Sequence, residues 1–343
     1  MVTKTDFAKW LNKFFTDYLQ TERSVSPNTI KAYRDTFKLL IQYYKEVYNV
    51  KVEYLTLKMI TKDRIKSFLS WILDNRKCSI ASRNYRLAAI HSFARYLQYE
   101  HTLSLEQWQD ILSIKAVKNE KKPLNYLSVE GIKLLFEQPD IKTWGGRRHL
   151  AILSLLYETG ARVQELIDLT PESLRISVEP YTILLYGKGR KYRIIPLVGE
   201  QIRILKDYMN ENHLFDTEKQ KSPLFYNARG EKLTRAGITF ILKTYVDTAR
   251  KKDATLMPKN ITPHSLRHSK AIHLLQAGIN LIYIRDILGH ASIQTTGIYA
   301  RADNKMKREA LEKVYTTLSP EGYSEREWEH NQGLLDWLNK LGK

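Results

Sequence analysis

Apolar residues recur at helical spacing along much of the chain, and short strand-like runs around a polar turn interrupt that pattern. Phe7, Trp10, Phe14 and Tyr18 form one helical series, and Ile30, Tyr33, Phe37, Leu40 and Tyr44 form a second. Ser26 followed by Pro27 is a start signal for that second helix, an N-cap oxygen and then a proline whose missing N–H costs nothing. Thr61 opens a third, carrying Ile65, Phe68, Leu69 and Ile72. A fourth begins near Ser79, with Ile80, Leu87, Ile90, Phe93, Tyr96 and Leu97 inward and Arg83, Arg86, His91 and Arg95 on the other face. The exception is TILLY at 182–186 and YRIIP at 192–196, two short runs that look like strands around the polar turn GKGRK and read as a hairpin. A short strand is also expected at Leu224-Phe225-Tyr226. The pattern therefore specifies a mainly α fold with a small β-sheet.

The 343 residues suffice for two domains, each with its own core. Residues 1–100 read as an all-helical domain. Between 101 and 125 the periodicity weakens and Lys115, Lys118, Lys121, Lys122 and Pro123 follow closely, as in a basic interdomain linker. A mixed α+β domain is expected over 126–318, with helices near 129–137, 146–159, 199–210, 234–251, 263–277, 280–288 and 292–300. Residues 319–343 form an amphipathic tail: Ser324 and Glu327 make a capping-box pattern, and Leu334, Leu335, Leu338 and Leu341 an apolar stripe.

Lys and Arg number 55 against 37 Asp and Glu, a formal charge of +18, and such an excess points to a polyanionic partner, nucleic acid before a membrane surface. The single cysteine, Cys78, excludes an intramolecular disulfide framework and a Cys-rich zinc site. The N-terminus lacks an apolar signal core, and no run approaches the roughly 20 apolar residues of a membrane span, so a cytoplasmic compartment is expected.

Four clusters supply groups suited to a phosphodiester. In TGARVQEL, residues 159–166, Arg162 sits at a helix entry after a glycine turn, where a guanidinium and free N–H groups converge. In YGKGRKYRIIPL, residues 186–197, glycines flank Lys188 at a hairpin tip, either as a plain basic hairpin or to reach a phosphate or a leaving oxygen. In TPHSLRH, residues 262–268, Thr262 and Pro263 place His264 in the first turn, with Arg267 on the same face at the positive end of the helix dipole. His268 follows in a structural, hydrogen-bonded role. In DILGHASIQTTGIYAR, residues 286–301, Gly289 ends a helix, His290 follows, and Tyr299 stands nine positions later, one of 21 tyrosines in the chain.

In order and approximate spacing, GARVQEL, GKGRKYRIIPL, HSLRH and LGHASIQTTGIY resemble the tyrosine recombinases, or integrase family. The likeness covers the second domain, and more loosely SPNTIKAYRDTF and ASRNYRLAAIHSFARYL in the first. It implies an all-helical core DNA-binding domain and a mixed α+β catalytic domain, closing on DNA as a C-shaped clamp. It also implies a site-specific recombinase of the simple Xer-like or transposon type, acting on DNA recombination sites as a tetramer with exchange of C-terminal tails. Arg162 and Arg267 would clamp the scissile phosphate, and His264 and His290 would hydrogen-bond it, with His264 placed to take the tyrosine proton. Lys188 would protonate the departing 5′ oxygen, and Tyr299 would be the nucleophile that forms a 3′-phosphotyrosine. Glu165 and His268 would support the site. DNA contacts would involve Lys31, Arg34, Arg83, Arg86, Arg95, Lys121, Lys122, Arg190 and Arg193. The chemistry implies no cofactor and no metal, because fixed cations can stabilise the charge that develops on phosphorus oxygens.

Two positions depart from the family's pattern: Gln164, where a small residue is usual, and Gly297, inside the expected Tyr299 helix. Glycine there weakens the helix by about 1 kcal/mol relative to alanine, which suits a mobile nucleophile segment. The competing readings are a type IB topoisomerase and a DNA-binding regulator without catalysis. The intact set of six candidate catalytic residues disfavours the second.

Overall fold

Capped helices account for most of the computed structural model, which describes residues 5–119, 123–187 and 191–302 together with Gly333 and Lys340. The chain divides into two compact units, one up to Lys122 and one from Pro123.

The first unit contains α1 (Asp6–Lys13), a π-helical continuation (Phe14–Glu22), α2 (Pro27–Tyr48), α3 (Lys62–Asp74), α4 (Ile80–Glu100) and α5 (Leu105–Leu112). The expected caps are in place: Ser26, Thr61 and Ser79 accept hydrogen bonds from the backbone N–H groups of Thr29, Arg64 and Ser82. The core is strongly aromatic. Phe14 meets Phe93 at 5.1 Å between centroids and Phe37 meets Phe93 at 5.2 Å, both edge to face, the arrangement the ring quadrupoles favour.

Two expectations change here. Residues 105–112 are a helix rather than linker: Trp108 and Ile111 are buried in the first unit's core, a two-turn pattern too short to register as periodic. On α4 the inward face also differs, since Arg83 is buried while Ile80 is exposed.

The second unit contains α6 (Val129–Phe136), α7 (Trp144–Thr159), α8 (Val163–Ile167), β1 (Leu174–Arg175), β2 (Thr182–Gly187), β3 (Lys191–Pro196), α9 (Glu200–Glu211), α10 (Arg235–Lys252), α11 (Pro263–Gln276), α12 (Leu281–Leu288) and α13 (Ile293–Ala302). The sheet has the order β1-β2-β3 and is antiparallel, with Thr182 opposite Pro196 and Gly187 opposite Lys191. Ile183, Leu185 and Ile195 point into the core, while Leu184, Tyr186, Tyr192 and Ile194 lie on the exposed face. Leu224-Phe225-Tyr226 is not a strand; Tyr226 makes only an isolated bridge to Lys232.

Two apolar clusters hold this unit. The larger joins α6 to α11 and the sheet through residues such as Ile152, Leu155, Leu166, Ile195 and Leu266. The smaller joins α11, α12 and α13 through Ala271, Ile272, Leu275, Ile284, Leu288 and Tyr299. At the end of α7, Gly160 adopts φ 56°, and a Cβ there would lie 2.7 Å from Leu288 Cδ2, so glycine is required for both conformation and space.

Candidate active site

The α12 helix ends in Gly289, left-handed at φ 62°, and leaves its last carbonyls without helical partners. Three arginines from three other elements fill that gap. Arg193 Nε of β3 donates to Ile287 O at 2.8 Å, Arg267 Nη2 of α11 to Leu288 O at 2.5 Å, and Arg162 Nη2 to Gly289 O at 3.1 Å. Cations at the negative end of a helix dipole are favoured. Arg267 also donates from Nη1 to Gly160 O at 2.6 Å, so it ties the turn before Arg162 to the turn before His290.

Glu165 joins the same assembly. Its carboxylate pairs with Arg162 at 2.7 Å and with Arg193 at 2.6 Å, and it accepts the Arg162 backbone N–H at 2.8 Å. Burial alone would raise its pKa, but the hydrogen bonds from Arg193 and Arg162 outweigh that and hold it below the ordinary carboxylate value. Arg193, expected as an exposed DNA contact on the hairpin, is instead turned inward, because its guanidinium is spent on Glu165 and Ile287.

Arg267 is 1% exposed, and no carboxylate pairs with it among the described residues. Its Nε has no hydrogen-bond partner among the described residues. Desolvation, then repulsion from Arg162, lowers its pKa to about 10, so it stays charged at neutral pH. A buried cation with an unused donor is a site built for an anion, since leaving such a charge uncompensated is costly.

Tyr299, on α13, is fully buried. Its Oη lies 3.0 Å from Nδ1 of His268, and the His290 ring stacks against it at 15° and 6.2 Å between centroids. Burial raises the phenol's pKa and outweighs the lowering by Arg267 and Arg162, so Tyr299 rests protonated. His268 and His290 are each pushed down to about 4, first by desolvation, and rest neutral. His264 stands one turn before His268 with its ring 4.4 Å away, and is exposed.

The structure thus brings Arg162, Glu165, His264, Arg267, His268, His290 and Tyr299 together. Lys188 and Arg190, between β2 and β3 in sequence, lie outside the described residues, as do Lys121, Lys122 and the tail over 319–343 apart from Gly333 and Lys340. Arg162 borders two grooves, one of about 640 Å³ beside Tyr192, Arg285 and His290, the other of about 420 Å³ beside Arg235, Thr239 and His264. In the first unit Lys31, Arg34 and Arg95 are exposed, Arg34 paired with Asp35. Arg83 is buried against Asn84, and Arg86 donates to Ala32 O and Thr36 Oγ1.

Thr296 escaped the sequence reading. It is buried and its hydroxyl meets His290 Nδ1 at 2.9 Å, which orients the ring. Its place three residues before Tyr299 carries no signal that spacing alone can supply. The departure at Gln164 is absorbed by hydrogen bonds to Arg235 and Asp168.

A helical unit, a second unit with a three-stranded sheet, and three arginines gathered at one helix end near a buried tyrosine held by histidines fit the class of DNA strand-transfer enzymes. Residues 125–306 match the Phage integrase family, and residues 13–101 match its N-terminal SAM-like domain. The chain is similar to y4rC of Sinorhizobium fredii (strain NBRC 101917 / NGR234), whose name places it among the integrase/recombinases, with 33% identity over 341 residues, 99% of this chain and 100% of that protein. It is similar also to tyrosine recombinase XerD of Staphylococcus haemolyticus (strain JCSC1435), with 33% identity over 87% of this chain and 96% of that one. Among solved structures, the XerH site-specific recombinase bound to difH substrate in a pre-cleavage complex aligns with TM-score 0.62 and 25% identity, over 84% of this chain and 80% of that one. The chain belongs to the phage integrase family and is a site-specific tyrosine recombinase. No helix among the described residues is long and apolar enough to cross a membrane.

Proposed function

We propose that this enzyme binds duplex DNA recombination sites and exchanges their strands through a 3′-phosphotyrosine at Tyr299. The observation that carries the reading is Arg267, a buried guanidinium with a free Nε and no carboxylate partner among the described residues. A scissile phosphate supplies the missing anion. Arg162 holds the phosphate from the solvent side, His264 and His290 hydrogen-bond its non-bridging oxygens, and Glu165 with Arg193 keeps Arg162 in place. As phosphorus becomes pentacoordinate its equatorial oxygens gain charge, and preorganised cations stabilise that state more than the ground state. Lys188, from the turn between β2 and β3, protonates the departing 5′ oxygen. The phosphotyrosyl ester conserves the bond energy, so the free 5′ hydroxyl of a partner strand can reverse the step. Four protomers around two sites complete the exchange, with C-terminal tails passed between neighbours.

The test is a nicked duplex carrying the enzyme's recombination site, incubated with protein and resolved under denaturing conditions. A covalent protein–DNA adduct is expected, and Tyr299→Phe should abolish it. An adduct that survives in Tyr299→Phe would overturn the assignment of the nucleophile.

A further inference from the structure

His264 and His268 occupy successive turns of one face of α11, and either could serve the nucleophile. Resemblance to the family assigns the tyrosine proton to His264 and leaves His268 a supporting role. The geometry differs. The hydrogen-bond partner of Tyr299 Oη is His268, whose Nδ1 lies 3.0 Å from the oxygen, and the two rings are 5.6 Å apart between centroids. His264 contacts the His268 ring, and no hydrogen bond from it to Tyr299 occurs among the described residues.

We propose that His268 is a catalytic residue, the group that takes the proton of Tyr299 during cleavage and returns it during religation. The inference rests on the reading of Tyr299 as nucleophile. The Tyr299 O–H bond breaks as an N–H bond forms at His268 Nδ1. The oxygen then bonds phosphorus, and the P–O bond to the 5′ oxygen breaks as that oxygen gains a proton from Lys188. Religation runs the same steps backwards: the 5′ hydroxyl gives up its proton, the phenolate leaves, and His268 protonates it.

Position makes this transfer workable. Tyr299 is wholly buried, so Oη meets a phosphorus atom only after α13 shifts. The shift need not carry Oη far from its partner, because the Arg267 guanidinium lies within electrostatic reach of both His268 and Tyr299, so a phosphate held by Arg267 shares their pocket. The titratable and charged groups that face His268 are His264 and Arg267 on its own helix and Tyr299 on α13, with His290 against the far side of the Tyr299 ring. In the free enzyme burial, then His264 and Arg267, disfavour an imidazolium and keep His268 neutral, with a free ring nitrogen to accept. A DNA phosphate on Arg267 offsets the local positive charge and raises the basicity of His268 when it is needed.

Two measurements on the full chain test this. In single-turnover cleavage of a nicked site, His268→Asn keeps a hydrogen-bonding atom near Nδ1 but cannot hold the proton. Adduct formation should slow by about 10²–10⁴-fold. Replacing Tyr299 by difluorotyrosine, whose phenol is more acidic, should restore much of that loss in His268→Asn and little in His264→Asn. An unchanged rate in His268→Asn, or rescue confined to His264→Asn, overturns the proposal. Nitrogen-15 NMR of histidine-labelled wild-type enzyme supplies the second readout, with the His268 signal assigned by its change in Tyr299→Phe. The expected tautomer carries its proton on Nε2, leaving Nδ1 to accept from the phenol. A proton on Nδ1 would make His268 the donor and sink the idea. An adduct persisting in Tyr299→Phe would instead sink the reading beneath it.

Discussion

The cations of the site and its proposed nucleophile rest on different foundations. Arg162, Glu165, Arg193 and Arg267 sit on elements whose neighbours Leu166, Ile167, Ile195 and Leu266 belong to the larger apolar cluster. Tyr299 belongs to the smaller one, with residues of α11 and α12 and, packed at its edge, Leu124 and Tyr126. Small cores open at lower free energy than large ones, so the phosphate cradle should stay formed while the tyrosine helix moves. On the proposed reading, the enzyme keeps the binding half of its chemistry rigid and the bond-forming half adjustable.

The largest effect should come from the carboxylate beneath the cradle. Glu165→Gln breaks a buried pair and should cost about 3–5 kcal/mol in urea unfolding. Because the folded-state pKa of Glu165 is depressed, its contribution is complete above the unfolded value and is lost as pH falls through the folded one. The wild type should therefore lose more stability on acidification than Glu165→Gln does. Equal acid sensitivity would show that the rigidity arises elsewhere.

Arg267→Lys keeps the charge and loses the fork, and adduct formation should fall by about 10²–10³-fold. A milder pair of changes probes the two clusters directly. Ile152→Val and Ile284→Val should each cost about 0.5–1.5 kcal/mol. Only the second should speed amide exchange in α13, and equal acceleration by both would erase the distinction. The smallest effect belongs to Gly297→Ala. A Cβ there meets nothing within 4 Å among the described residues, and the change gains about 1 kcal/mol of helix propensity. Cleavage and strand exchange should slow modestly; unchanged rates would remove Gly297 from any account of mobility.

Much of this was legible before the structure. The Thr262-Pro263 start of α11, with His264 and Arg267 on one face, follows from capping and helical period, and the Ser26, Thr61 and Ser79 caps follow likewise. The hairpin was legible because two short runs rich in aliphatic and aromatic residues bracket a polar, glycine-containing turn. Other features depend on partners distant in sequence. Arg193 reads as one more exposed basic residue until Glu165 and the end of α12 are folded against it. His268 reads as support for its neighbour until α13 delivers Tyr299 to its ring. Short helices such as α5 carry too few apolar repeats to be separated from a linker.

The carbonyls of Ile287, Leu288 and Gly289 give the site a single mechanical reference. All three arginines are aligned by one helix end, so their alignments are not independent. One residue inserted into or removed from α12 would rotate that end by about 100° and misdirect every one of them together. The cradle is therefore assembled or dismantled as a whole, by the seating of a single short helix.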